Sequence, residues 1–213
     1  MKLYYAPGTC SLAPHIVANE AKIALDLERV DLGKTPRLTS SGTDYASVNP
    51  NLYVPALRLD DGAVLTEGVA IMQYLADYEP ENKLVPPPGT LARVRLEQWL
   101  VFISTELHKM YSPWLFHPEY GAQAQEVARG KLAQRLAYVD AQLATNGPFL
   151  LGLDFSPADA YLFTIVGWSQ FTKVDLSRFT YLRALMDRVA ARPSVREAML
   201  AQGLQVKDPV VAA

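Results

Sequence analysis

The chain has 213 residues, of which half are hydrophobic and a fifth are charged. This composition is that of a globular protein and excludes a disordered chain, and the length suits one large domain or two modest ones. The formal net charge of -2 gives no electrostatic reason to expect nucleic acid or an anionic membrane as a partner.

Cysteine usage and the first residues indicate a compartment. The single cysteine, Cys10, excludes an internal disulfide and a metal site built from a cysteine cluster. The short apolar run at the start is interrupted by Pro7 and Gly8 and lacks the length of a secretory signal, and no stretch is long enough to span a bilayer. We therefore expect a cytoplasmic protein without a bound metal.

Residues 1–80 alternate between strand and helix patterns. Short apolar runs predict strands at 2–5, 27–32, 56–59 and 63–66. Helical spacing predicts one helix over 11–23, with Pro14 in its first turn, and another after Thr66. The Asp-Gly pair at 61–62 lies between two apolar runs, which is typical of a hairpin. The order β-α-β, loop, β-β-α indicates a small α/β domain with a mixed sheet.

The chain changes character after residue 80. The segment PENKLVPPPGT at 80–90 contains four of the fifteen prolines, which is typical of a linker. Apolar residues then recur at helical intervals over 91–112, 122–145, 157–172 and 178–202. We predict a first domain at 1–80, a linker at 81–90 and an all-helical second domain at 91–213.

Cys10 follows the first predicted strand and precedes the first predicted helix. A helix start offers unpaired backbone N–H groups and a partial positive charge, and both stabilise a thiolate. The same position attracts an anionic ligand, including a ligand thiolate. The alternative is a buried cysteine that acts as a small hydrophobic residue.

Two further segments of the first domain suit a ligand. If the Val54–Pro55 bond is cis, the Val54 backbone can pair with an extended peptide; the alternative is a trans proline that starts a strand. At the last helix start of this domain, N–H groups suit a ligand carboxylate and Glu67 suits a ligand ammonium. The alternative for Glu67 is a favourable contact with the helix dipole.

Ser156-Pro157-Ala158-Asp159 predicts a helix start rather than a catalytic site. Serine at the N-cap, proline at the first position and an acid three residues after the cap form a capping box. On this ground alone, Asp159→Ala is expected to cost about 1–2 kcal/mol of stability.

Five segments occur in the order MKLYYAPGTCSLAPHI, VNPNLYVPAL, LDDGAVLTEGVAIMQYLAD, FISTELHKMYSP and SPADAYLF. Together they resemble the bacterial beta-class glutathione S-transferases over nearly the whole chain. The resemblance implies a thioredoxin-like N-terminal domain, which binds glutathione, followed by an all-helical C-terminal domain with an electrophile site. It also implies a homodimer, and glutathione as co-substrate.

The same resemblance implies roles for residues of the first domain. The Val54–Pro55 bond is cis, and the Val54 backbone, beside Tyr53, pairs with the cysteinyl unit of glutathione. Glu67 and Gly68 meet the γ-glutamyl end. Cys10 lies beside the glutathione sulfur and can form a mixed disulfide with it.

Residues of the helical domain are also implied. His108, with Thr105 one turn earlier, faces the same sulfur, and Glu106 of the partner subunit adds a contact. The spacing of Val101, Thr105 and His108 independently puts them on one face of a regular helix. Aromatic residues line an apolar cleft or belong to the core, namely Tyr111, Trp114, Phe116 and Trp168.

Two departures from the family pattern bear on affinity. Val101 stands where many members of the family carry an asparagine, and the loop 33–43 is about two residues longer than is common. Lys34 or Arg37 is expected to replace the usual lysine of that loop, and the sequence does not choose between them.

Three classes of function are considered, and the first is the one that we expect. The first is a transferase, in which the glutathione thiolate attacks an electrophile. The second is a glutaredoxin-like redox enzyme restricted to a monothiol route, because Ala13 occupies the place of a second cysteine. The third is a regulator or assembly module on the same fold, since fold does not fix function.

Overall fold

The computed structural model describes residues 1–78, 81 and 83–206, in two compact units. The first unit comprises Met1–Leu84 and the described residues from Ala190 onward, and the second comprises Val85–Val189. Residues 79, 80 and 82, at the predicted linker, and residues 207–213 of the predicted second domain lie outside the described residues. The predicted boundaries at 80 and 90 stay predictions.

A four-stranded mixed sheet forms the centre of the first unit. Its strands are β1 (Lys2–Tyr5), β2 (Asp26–Arg29), β3 (Ala56–Arg58) and β4 (Val64–Leu65), in the order β2-β1-β3-β4. β1 pairs in parallel with β2 and antiparallel with β3, and β3 pairs antiparallel with β4. The predicted hairpin is present, because Leu59 N–H bonds the Ala63 carbonyl at 2.8 Å and Gly62 has a φ of 91°.

Two helices of this unit pack against each other, α1 (Leu12–Glu20) and α2 (Gly68–Tyr78). Pro14 falls in the first turn of α1, as predicted, where its missing N–H removes no helical hydrogen bond. Fully buried side chains from the sheet and both helices form the core, including Leu3, Ile16, Leu57, Ile71, Met72 and Leu75. Each contributes about 1.5–3 kcal/mol by its removal from water.

The last helix, α9 (Pro193–Ala201), packs on α1. The Arg192 guanidinium donates to both Glu20 carboxylate oxygens, at 2.6 and 2.8 Å, and Ser194 Oγ donates to the same carboxylate. Asn19 Nδ2 donates to the Ser194 carbonyl at 3.0 Å. Burial opposes ionisation of Glu20, but these hydrogen bonds hold its carboxyl pKa below the usual value. Arg192 and Ser194 thus tie the start of α9 to α1 within the first unit.

The second unit is helical, as predicted. Its regular helices are α3 (Leu91–Phe102), α4 (Lys109–Tyr111), α5 (Ala122–Asn146), α6 (Pro157–Val166), α7 (Ser169–Thr172) and α8 (Thr180–Ala190). A π-helical turn, Ile103–His108, joins α3 to α4, and a short 3₁₀ turn covers Pro118–Tyr120. Among the described residues of this unit, the β contacts amount to an isolated bridge between Phe149 and Gly152.

The predicted capping box at the start of α6 is confirmed. Asp159 Oδ2 accepts hydrogen bonds from Ser156 N–H at 2.9 Å and Ser156 Oγ at 2.7 Å. Its second oxygen, Oδ1, accepts from Leu150 N–H at 2.8 Å, so the carboxyl also holds the preceding loop. Burial raises the pKa of Asp159 to about 6. Asp159 is therefore part of the frame of this unit.

Candidate active site

The turn that carries Cys10 connects β1 to α1. The buried hydroxyl of Ser11, the residue before α1, accepts from Ala6 N–H at 3.2 Å and lies 2.8 Å from Thr9 Oγ1. Thr9 Oγ1 also lies 2.9 Å from the Ala6 carbonyl oxygen, to which it donates. Because these bonds tie both sides of the turn to the end of β1, the position of the half-buried Cys10 is well defined.

The backbone at this helix start differs from expectation. The N–H groups of Ser11, Leu12 and Ala13 bond Thr9 Oγ1, the Thr9 carbonyl and the Cys10 carbonyl, at 3.3, 3.1 and 3.3 Å. The prediction of unpaired N–H groups is therefore wrong for these three. The α1 dipole still directs a partial positive charge toward Cys10. Of the two features that were expected to stabilise a thiolate here, this partial charge is the one that remains.

Cys10 lies beside the segment before β3. Its Sγ donates to the Val54 carbonyl at 3.3 Å, a hydrogen bond that requires the protonated thiol. The Val54–Pro55 bond is cis. A Cβ added at Gly68, the first residue of α2, would lie 3.6 Å from Pro55 Cγ. Gly68 therefore packs against Pro55. The structure thus brings together four predicted residues, namely Cys10, Val54, Pro55 and Gly68.

Donors from the preceding loop hold the backbone that leads to this segment. The Tyr53 carbonyl accepts from Tyr45 Oη and Asn49 Nδ2, both at 2.8 Å, and the Leu52 carbonyl accepts from Arg37 Nη1 at 2.5 Å. Tyr45 is fully buried, whereas the side chain of Tyr53 is 70% exposed. Sequence reasoning missed Tyr45 and Asn49, although Asn49 lies within the segment VNPNLYVPAL, because both side chains act on a backbone atom, which no residue pattern reveals.

The two basic residues that the sequence left open both have partners in the chain. Lys34 Nζ lies 3.2 Å from Asp31 Oδ2 at the surface. Arg37 Nη1 is bonded to the Leu52 carbonyl. Arg37 therefore supports the loop from within, and the choice between these residues as glutathione ligands stays open.

Glu67 directly precedes α2. Its carbonyl accepts from Ile71 N–H at 3.0 Å and its side chain is exposed to solvent. Its φ of 65° lies in the left-handed region, which costs a residue other than glycine about 1–3 kcal/mol. Such strain is often retained where a backbone must be presented to a ligand. The geometry is compatible with the role predicted for Glu67.

In the second unit, His108 ends the π-helical turn. Its Nδ1 lies 2.7 Å from Tyr161 Oη, and its ring lies edge-on to that of Trp168 with 5.0 Å between centroids. Burial, aided by the charge of Lys109, lowers the pKa of His108 to about 4. The imidazole is therefore neutral at pH 7, and it acts as a hydrogen-bonding group rather than as a cation.

The other predicted residues of this helix have local partners. Thr105 Oγ1 donates to the Val101 carbonyl at 3.0 Å, and both residues are exposed. Glu106 Oε2 accepts from Arg135 Nε at 2.6 Å. A shared face for Val101, Thr105 and His108 requires a regular α-helix, whereas Ile103–His108 forms a wider π-helical turn. The shared face of Thr105 and His108 therefore stays a prediction.

Three of the four aromatic residues predicted for the apolar cleft, namely Tyr111, Trp114 and Trp168, have different environments. Tyr111 is fully buried with its Oη 2.6 Å from Ser169 Oγ, and burial raises the pKa of Tyr111 to about 12. Trp168 is buried and packs edge-on against Tyr111. Trp114 is 38% exposed and lines a cavity of about 420 Å³ to which neither of the other two contributes. Their role toward an electrophile stays a prediction.

A metal-binding cluster and a membrane-spanning helix are both absent from the described residues. No group of three or more His, Cys, Asp or Glu side chains in this part of the chain is arranged to hold a metal ion. None of its helices combines the length and the apolar character that crossing a membrane requires.

Comparison with known proteins identifies the class. Residues 8–77 match the family model described as glutathione S-transferase, N-terminal domain, and residues 99–193 match that of the C-terminal domain. The chain is 44% identical to glutathione S-transferase GstA of Escherichia coli O157:H7 over 96% of its own length and all of the relative. It belongs to the glutathione S-transferase family, and the two relatives that match it at 44% and 35% identity are both named glutathione S-transferases.

Solved structures place the chain among the bacterial members. The ternary complex of BphK, a bacterial GST, aligns with a TM-score of 0.92 and 48% identity over 96% of this chain and all of that one. A sphingomonad glutathione S-transferase complexed with glutathione aligns at 0.90 and 40%, with the same coverage. The beta-class enzyme of Sphingomonas chungbukensis aligns at 0.90 and 41%, again over 96% and 100%. The expected family and its thioredoxin-like plus helical fold are confirmed.

Proposed function

We propose that the protein binds glutathione along the Val54–Pro55 segment and activates its thiol for attack on electrophilic or disulfide substrates. The observation that carries this proposal is the 3.3 Å hydrogen bond between Cys10 Sγ and the Val54 carbonyl. It joins the reactive sulfur to the backbone that an extended tripeptide would pair with. The sphingomonad relative, 40% identical, was solved with glutathione, which supports the same ligand here.

Recognition is proposed to use main-chain atoms at one end of the ligand and a helix start at the other. Within the described residues, the Val54 N–H has no hydrogen-bond partner, and it is the donor for the cysteinyl carbonyl of glutathione. The ligand's γ-glutamyl carboxylate is suited to the start of α2. Its ammonium is suited to the exposed carboxylate of Glu67. Tyr45 and Asn49 contribute indirectly, by fixing the Tyr53 carbonyl.

The conjugation step is proposed as a nucleophilic substitution. The thiol proton of glutathione passes to solvent, the sulfur forms a bond to the electrophilic carbon, and the bond to the leaving group breaks with its electron pair. Two groups favour the thiolate. One is the positive end of the α1 dipole, and the other is His108, acting as a neutral hydrogen-bond donor at the sulfur.

A thiol–disulfide route is proposed through Cys10. Its thiolate attacks the glutathionyl sulfur of a mixed disulfide, forming a Cys10–glutathione disulfide and releasing the other thiolate. A second glutathione thiolate then attacks the glutathionyl sulfur, producing oxidised glutathione and regenerating Cys10. Ala13 occupies the place of a resolving cysteine, so the reductant must be glutathione itself. The protonated Cys10 of this structure must lose its hydrogen bond to Val54 before it attacks.

Assembly and compartment are proposed on the family resemblance. The expected form is a homodimer in which Glu106 of the partner subunit contacts glutathione, in a reducing cytoplasm that keeps the Cys10 thiol reduced. Sedimentation equilibrium of the purified chain tests the dimer. A monomer at micromolar concentration would contradict it.

The test of the ligand is a calorimetric titration of the reduced protein with reduced glutathione. One site per chain with a dissociation constant below millimolar is expected. Glu67→Gln should weaken binding by removing the partner of the ligand ammonium, whereas the exposed Glu126→Gln on α5 should not. If the titration gives no heat at several temperatures and oxidised glutathione does not compete for the same site, the proposal is overturned and a non-catalytic role is favoured.

A further inference from the structure

Tyr161 of α6 contacts His108 by both hydroxyl and ring. The phenol oxygen lies 2.7 Å from His108 Nδ1, and the two rings meet edge-on with 5.9 Å between centroids. Tyr161 is buried, with 4% of its surface exposed. The contact joins two separate helical segments of the second unit, so it is a tertiary feature rather than a consequence of local sequence.

A neutral imidazole has one N–H and one acceptor nitrogen, and the partner of one nitrogen decides the state of the other. Because burial lowers the pKa of His108 to about 4, the neutral form is the relevant one at pH 7. Two arrangements are therefore available. Either Tyr161 donates to Nδ1 and the hydrogen of the ring is on Nε2, or Nδ1–H donates to Tyr161 and Nε2 carries no hydrogen.

Acid–base matching favours the first arrangement. A phenol is a much stronger acid than the N–H of a neutral imidazole, and an imidazole nitrogen is a stronger base than a phenol oxygen. The Nδ1 atom lies 2.7 Å from the phenol oxygen, a distance that suits a hydrogen bond from the phenol O–H to the nitrogen lone pair.

We propose that Tyr161 is a positioning residue that holds His108 in the Nε2–H tautomer by donating its phenol hydrogen to Nδ1. Trp168, edge-on to the imidazole at 5.0 Å, restricts the rotation that would exchange Nδ1 for a ring carbon. The result is a neutral N–H donor with a fixed direction. Its use at the glutathione sulfur rests on the proposed function, whereas the tautomer itself does not.

The tautomer is measured by two-bond ¹H–¹⁵N correlation spectra of the full chain labelled with ¹⁵N-histidine, at pH 7. The three histidines of the chain are assigned with His15→Gln and His117→Gln. His108 is expected to show the Nε2–H pattern. In Tyr161→Phe this pattern should give way to a mixture of tautomers, because Nδ1 has lost its donor.

Tyr111→Phe is the matched control. It removes another buried phenol hydroxyl, bonded to Ser169 Oγ at 2.6 Å, from a ring that also packs on Trp168. The His108 pattern should be unchanged in this variant. An Nδ1–H pattern in the wild type overturns the inference without any variant, even if Tyr161→Phe fails to fold, and so does a wild-type pattern in a folded Tyr161→Phe.

The functional consequence is measured separately, through the ultraviolet absorbance of the glutathione thiolate in the complex as pH is raised. Tyr161→Phe should raise the pH midpoint and lower kcat/KM about tenfold, as loss of an orienting partner typically does, while KM for glutathione changes less. If His108→Ala leaves the midpoint unchanged, the proposed role of His108 at the sulfur fails, and the result on the tautomer stands.

Discussion

Arg192 and Glu20 form a two-point ion pair between α9 and α1, with N–O distances of 2.6 and 2.8 Å. The pair is largely shielded on the carboxylate side, where Ser194 adds a third donor. Such geometry fits a planar guanidinium and no other side chain. It fixes the last helix against the first.

Arg192→Ala is expected to reduce the free energy of unfolding by about 1–3 kcal/mol, as loss of hydrogen bonds to a charged group does, with the lower part of that range favoured by the partial exposure of the pair. Urea unfolding of the purified protein measures this. Arg192→Lys should recover only part of the loss, and the exposed Arg95→Ala should have little effect. An unchanged Arg192→Ala midpoint would show that α9 is held by apolar packing alone.

Asp159→Ala should destabilise the second unit more than the loss of a simple cap. The substitution leaves the N–H groups of Leu150 and Ser156 without their acceptor in a buried site, so a cost of about 2–4 kcal/mol is expected. Thermal unfolding measures it, and Asp159→Asn should retain part of the stability. An Asp159→Ala protein with an unchanged melting temperature and abolished turnover would contradict a structural role.

His15 makes stability depend on pH. Its Nδ1 lies 3.2 Å from Gln202 Nε2, and burial lowers the pKa of His15 to about 4. Since the unfolded value is about 6.5, the unfolded chain binds the extra proton first. The stabilisation is therefore complete above pH 6.5 and is lost as pH falls toward 4, by about 1–3 kcal/mol.

The comparison of wild type with His15→Gln isolates this contribution from that of other groups, such as Glu20. Urea midpoints at pH 7, 6 and 5 should fall less steeply for His15→Gln. The exposed Thr145→Ser, which adds and removes no titratable group, is the control and should keep the wild-type slope. Equal slopes in all three proteins would contradict the assignment.

Cys10→Ala is expected to abolish the reduction of mixed disulfides that contain glutathione. It should leave conjugation of an aromatic electrophile largely intact. The reason is that only the disulfide route needs the Cys10 sulfur as nucleophile. Cys10→Ser tests the hydrogen bond apart from the nucleophile, because a hydroxyl can still donate to the Val54 carbonyl. Parallel assays of both reactions decide the matter, and equal losses in both would count against separate routes.

Tyr45→Phe should weaken glutathione binding, although the Tyr45 side chain is not expected to contact the ligand. The phenol hydroxyl holds the Tyr53 carbonyl at 2.8 Å, and loss of one such bond is worth about 1 kcal/mol, or roughly fivefold in affinity. Calorimetry against glutathione measures the change. The exposed Tyr78→Phe is the control. An affinity equal to that of the wild type would mean that Asn49 alone holds the carbonyl.

Local interactions explain what the sequence predicted well. The capping box at Ser156 and Asp159 and the turn at Gly62 depend on residues within a few positions, so their chemistry is visible in the chain order. The resemblance to the family added the prediction that Cys10 and the Val54–Pro55 segment belong to one site, and the structure brings them into contact.

What sequence reasoning missed depends on contacts between distant residues or on backbone geometry. Arg192 meets Glu20 across more than a hundred and seventy residues, and no periodic pattern announces that pairing. Tyr45 acts on the Tyr53 carbonyl, an atom that every residue type provides. The π-helical turn at Ile103–His108 has the hydrophobic spacing of an ordinary helix over its short length, so only the folded chain distinguishes the two.

The packing of α9 on α1 has a consequence for synthesis on the ribosome. The segments that make up the first unit are encoded at opposite ends of the chain, with the whole second unit between them. While translation proceeds from the amino terminus, the sheet and its two helices leave the exit tunnel long before Arg192 and Ser194 exist. The surface of α1 that they cover must then wait in solvent, or on a chaperone, until the final helix has been translated.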